Sequence, residues 1–191
     1  MRPAYLSTAN LTLRAMVATD ADEAMSWSPS PFPVSAGQAA RWLADAHRSS
    51  VWDDPSTLWL AVVRTQLKTA PLDDEGLGQV LGVVQLRHPR ARTSDLSVHL
   101  APHLSAAEQD ALQAEVVRLV VPWVRDELEA MVLTLSIGSD QPETIAVAES
   151  LAMVLVARLR EHLARPGWAG RPALVSGAQP GRARGGRPPI G

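Results

Sequence analysis

With 191 residues the chain is long enough to bury one sizeable core and short for two. It has no cysteine, which excludes a disulfide framework, thiolate metal sites and a cysteine nucleophile, and fits a reducing compartment. Eighteen Lys and Arg against twenty Asp and Glu give a net charge of -2, so the chain as a whole has no electrostatic case for binding nucleic acid. The first residues lack the apolar stretch of a signal peptide and charges interrupt every apolar run before it reaches membrane-spanning length, so a cytoplasmic protein that enters no membrane is expected.

Leu11-Thr12-Leu13-Arg14 alternates with period two and predicts a first strand. Asp20 is placed to N-cap a short helix over residues 21–25. The proline-rich run Ser28-Pro29-Ser30-Pro31-Phe32-Pro33 breaks regular structure, and Ser35 with Gln38 forms a capping box that opens a second helix through Trp42, Leu43 and Ala46. Two apolar strands, residues 58–63 and 80–86, are joined by a polar connection with Asp73-Asp74-Glu75-Gly76 at its tip, as in a long hairpin. A further strand over residues 94–100 puts Asp95, Ser97 and His99 on one face and Leu96, Val98 and Leu100 on the other.

Ser105 with Glu108 is a second capping box, and Leu112, Val116, Leu119, Val120, Trp123, Val124 and Leu128 recur at helical spacing behind it. Pro122 inside that helix predicts a kink at a cost of ~3 kcal/mol unless packing compensates. Residues 131–137 predict a strand, residues 138–142 a turn, residues 143–151 a short helix and residues 153–159 another strand. Residues 173–175 are placed to close the sheet. From Ser176 onward the chain holds Gly, Pro, Ala, Arg182, Arg184 and Arg187 with no acidic residue, a composition that predicts a disordered tail over 176–191 after a single domain over 1–175.

This order of elements resembles the GNAT superfamily of acyl-CoA-dependent N-acyltransferases, and in particular its branch that acetylates ribosomal-protein N-termini. Residues 11–14 look like that branch's opening strand, and Leu81-Gly82-Val83-Val84-Gln85-Leu86 like its third. The stretch from Gln141 to Met153 is similar in spacing to the family's Asn-x-x-Ser-x-x-Val-x-Glu-x-x-Gly-Phe: Val147 and Glu149 match, while Gln141, Thr144, Ala152 and Met153 stand for Asn, Ser, Gly and Phe. Leu159-Arg160-Glu161-His162 resembles the strand that follows. The resemblance implies an α/β (α+β) fold, a mixed and mostly antiparallel central sheet flanked by helices on both faces, and homodimerisation as a family-level expectation.

It also implies acetyl transfer from acetyl-CoA to a primary amine or peptide N-terminus. The family's phosphate-binding signature belongs between residue 100 and the long helix, yet no glycine occurs between Gly82 and Gly138, so the loop is degenerate. Ser105 and the amides of Leu100, Ala106 and Ala107, with Gln141 and Thr144, are the candidate acetyl-CoA contacts; Glu108 and Asp110 put negative charge where a polyanion would sit. The catalytic candidates are Asp95 and His99, the histidine as base and the aspartate orienting or charging it. Tyrosine, the family's usual acid, occurs only as Tyr5, and Thr144 or Ser150 could at best relay a proton through water.

The histidines show no metal-type spacing, so no metal is expected, and no Walker loop, dinucleotide fingerprint or nucleophile elbow occurs. Trp27, Phe32 and Trp52 are either packing residues or the lining of an acceptor groove. Beside the enzyme stands one alternative: a non-catalytic GNAT-fold module for binding or oligomerisation that has lost acetyl-CoA.

Overall fold

The computed structural model describes residues 6–27, 57–64, 79–88, 92–159 and 173–178. The expected proline-rich loop, the helix opening at Ser35, the hairpin tip at Asp73 and the segment after residue 178 lie outside the described residues. Within them, β1 (Leu6–Ser7), β2 (Leu11–Ala15), β3 (Thr57–Arg64), β4 (Val80–Arg87) and β5 (Thr93–Leu100) form a continuous antiparallel succession. β6 (Val132–Gly138) joins β5 in parallel, and β7 (Met153–Leu159) and β8 (Ala173–Ala178) complete the order β1-β2-β3-β4-β5-β6-β8-β7. β8 is therefore inserted between β6 and β7, and its pairing carries Ser176, Gly177 and Ala178, which the sequence reading gave to the tail, into the sheet.

Helices cover both faces, as expected. On one face, Leu13, Val62, Val84 and Leu96 share a core with Val116, Val117, Val120 and Val124 of α2 (Ala106–Asp126) and with Val147 and Ala148 of α3 (Pro142–Ser150). The other face carries α1 (Ala18–Met25): Ala21 and Ala24 pack with Trp27, Trp59, Ala61, Val83 and Ala101. Period-two strands must bury each face against something, and the separation of the two clusters follows from that. α2 runs through Pro122 as one helix of 21 residues.

α1 begins three residues before its predicted start. Asp20 lies in its first turn rather than at its N-cap, and one carboxylate oxygen accepts the Val17 N–H at 2.8 Å. The same carboxylate takes both terminal nitrogens of buried Arg14, at 2.6 and 2.8 Å, a bidentate pair that ties β2 to the helix.

Candidate active site

Backbone alternation decides which groups of β5 face which neighbour. Ala101 N–H donates to the Leu81 carbonyl at 2.9 Å, so residues 99, 97 and 95 direct their backbone groups at β4. The carbonyl of Arg92 accepts Val132 N–H at 2.8 Å, so residues 94, 96, 98 and 100 direct theirs at β6. Pairing with β6 stops at Leu96 and Leu135, although both strands continue. Beyond that point the backbone groups of Val98 and Leu100 face a gap. Leu100 was expected to offer its amide here; Val98 was placed on the same face but not named as a cofactor contact, although the alternation that selects Leu100 selects it too.

The gap opens toward the start of α2. Gln109 Nε2 donates to the carbonyls of Ala101 and Leu104, at 3.4 and 3.1 Å, and so turns the connecting loop's carbonyls toward the helix. Ser105 caps α2 as predicted, but its N–H and hydroxyl both donate to Glu108 Oε2, at 2.8 and 2.7 Å. Those two bonds hold the Glu108 carboxyl below the ordinary carboxylate range, with smaller help from Arg64 and His103. Ala106 and Ala107, in the first turn, remain free of hydrogen bonds to described groups, which leaves two amides at the positive end of the helix.

Asp110 does not oppose an anion at this end. It is buried, and its two oxygens accept the N–H groups of Glu143 and Thr144, both at 2.9 Å, and the Thr144 hydroxyl at 2.7 Å. A side chain of α2 thus caps α3. Thr144 and Gln141, expected to meet the cofactor, make their hydrogen bonds inside the protein: Thr144 to Asp110, and Gln141 to Gly138 N–H at 2.7 Å and to Gln113 at 2.7 Å. Ser150 donates to the Val147 carbonyl, so neither expected proton relay is presented to the gap.

Asp95 and His99 are not brought together. Four residues apart on a strand, they are separated by roughly 13 Å. Asp95 accepts the Thr134 hydroxyl across the β5–β6 pair, one residue before the ladder ends. His99 is partly buried beside the α1-side core, with its Nε2 buried and without a hydrogen-bond partner among the described residues. Burial lowers its pKa. Among the described residues no cluster of three potential metal ligands occurs, and no helix is long and apolar enough to cross a membrane.

The family model for the acetyltransferase (GNAT) domain matches residues 3–154. Among solved structures, a protein described as an acetyltransferase from Sphaerobacter thermophilus DSM 20745 is 34% identical, with a TM-score of 0.67 over 94% of this chain and 100% of that one. One described as a ribosomal-protein-serine acetyltransferase from Vibrio cholerae is 13% identical, with a TM-score of 0.57 over 94% and 100%. A mutant spermidine N-acetyltransferase, also from Vibrio cholerae, is 15% identical, with a TM-score of 0.59 over 90% and 95%. The latter two likenesses are of fold. No curated protein matches the chain.

Proposed function

Because the chain belongs to the acetyltransferase (GNAT) domain family, we propose that it transfers an acetyl group from acetyl-CoA to a primary amine or peptide N-terminus. The observation that carries this reading is the run of unpaired backbone at Val98 and Leu100. A pantetheine arm has alternating amide donors and acceptors, and an open strand edge offers the complementary set. An amide in the same gap polarises the thioester carbonyl, and the amides of Ala106 and Ala107 at the start of α2 favour the diphosphate.

His99 serves as base. The amine nitrogen attacks the thioester carbon, the carbon–sulfur bond breaks, the nitrogen's proton passes to His99 Nε2 once the bound acceptor opens the cover over that buried atom, and the CoA thiolate takes a proton from water. A peptide N-terminus of the ribosomal-protein type is the acceptor class we favour, on the resemblance of residues 141–153 to that branch. Asp95, engaged with Thr134, is assigned to the strand junction and not to the proton transfer.

One observation favours the alternative of a non-catalytic module: the Glu108 carboxylate occupies the Ser105 donors at the helix end where the diphosphate belongs. Calorimetric titration with acetyl-CoA separates the two, run beside an Ala106→Gly, Glu108→Gly variant. Micromolar binding by the unmodified protein, followed by CoA release with amine or peptide acceptors, is expected. Binding by the variant alone would make the natural protein a retired acyltransferase.

A further inference from the structure

Two neighbouring strands with unpaired groups facing each other gain by pairing, and a buried backbone group left without a partner costs about 1–3 kcal/mol. The β5–β6 gap therefore needs a cause. Along β6, Val132 directs its N–H at β5, so Gly138, six residues on, does the same. A continued ladder would give that N–H to the Val98 carbonyl. It goes instead to Gln141 Oε1, at 2.7 Å in a buried setting.

The side chain folds back onto its own strand because Gly138 leaves the space. A Cβ at Gly138 would lie 2.5 Å from Asp140 Oδ1 and 3.0 Å from Gln141 Oε1. Gln141 Nε2 is fixed in turn by Gln113 on α2, and Asp110, three residues earlier on that helix, holds the first turn of α3. Asp110, Gln113, Gln141 and Thr144 are all buried, so this network makes its bonds away from competing water.

We propose that Gln141 is a positioning residue that ends the β5–β6 ladder: it occupies the last gap-facing amide of β6 and so keeps Val98 and Leu100 unpaired and ready for the acyl-CoA. The assignment of the gap to acetyl-CoA rests on the function proposed above; the strand-capping role stands on the hydrogen bonds and strand pairing of the ligand-free protein.

The test is amide hydrogen exchange by NMR on the ligand-free protein, with acetyl-CoA titrations alongside. In Gln141→Met, of similar length without the acceptor, β6 is expected to zip onto β5: Val98 N–H exchange slows at least tenfold while His99, already paired to β4, is unchanged, and acetyl-CoA binds about tenfold more weakly or worse. Gln141→Glu keeps an acceptor for Gly138 and is expected to exchange at Val98 like the wild type. Should Gln141→Met fail to fold, Gln141→Leu, which also removes the acceptor for Gly138, carries the same comparison. Wild-type exchange at Val98 in a folded Gln141→Met or Gln141→Leu overturns the proposal. Absence of acetyl-CoA binding by the wild type would overturn the functional reading, and the exchange comparison would still decide the role of Gln141.

Discussion

His99 stands on the α1 side of β5 with its Nε2 shut away from water, and burial is what lowers its pKa from the ordinary 6.5. A neutral imidazole at pH 7 accepts a proton; an imidazolium cannot. The rate should therefore be level above the ordinary histidine range and fall only below it, with an acid limb centred under 6.5. The same shift enters stability with a definite sign. The unfolded chain protonates first, so His99's contribution is complete above 6.5 and declines as pH falls from there to the folded pKa. His99→Gln should abolish the acid limb in stability and lower kcat/KM by roughly a hundredfold or more. A pH–rate profile and denaturant melts between pH 5 and 8 check both, and a wild-type limb at or above 6.5 would end the assignment. At this scale the sequence placed His99 and Leu100 on opposite faces of a strand correctly, because side-chain alternation is local. It misjudged Asp95, whose partner Thr134 lies 39 residues away across a pairing that no local pattern specifies.

Helix ends show the same division between local and distant causes. Ser105 and Glu108 were legible as a cap because both partners fall within one turn, and the structure forms both bonds. Asp20 was read as the N-cap and is not, since a carboxylate satisfies a helix start equally from three residues inside it, and the Arg14 pair draws it to that place. Asp110 was misread as charge facing a polyanion: it sits past the first turn of its own helix and caps another. The end of α3 holds one local misfit that the sequence did expose. Ala152, where the resembled pattern has Gly, adopts φ 60, a left-handed conformation that costs a residue with Cβ about 1–2 kcal/mol. Glycine removes that strain but gives the unfolded chain more freedom, which returns part of the gain. Ala152→Gly should accordingly raise stability by about 0.5–1 kcal/mol. A higher denaturation midpoint with an unchanged m-value would support this, and a lower midpoint would refute it.

At the scale of the molecule, seven of the eight described strands were readable in chain order, β1 (Leu6–Ser7) being missed, and the mixed, mostly antiparallel sheet was as expected, whereas the place of the last strand within it was not. The splayed β5–β6 pair and the insertion of β8 are matters of long-range register, and residues 173–175 alone gave no reason to place a strand between β6 and β7. That insertion shifts the structural boundary. Ser176, Gly177 and Ala178 pair with Leu135, Thr134 and Leu133 on one side, and with Leu155, Val154 and Met153 on the other. Leu133, Leu135 and Met153 belong to the core that also seats α2 and α3, so loss of those three strand residues would loosen the sheet directly behind the gap. A chain ending at Ala178 keeps every described pairing, while one ending at Val175 loses both ladders over half of β8. With each kcal/mol worth about 2–4 °C in a protein of this size, and two ladders shortened together, the shorter chain should melt roughly 5 °C or more below the longer. Equal melting temperatures would mean that the sheet does not depend on residues 176–178, and would return the boundary to the place composition suggested.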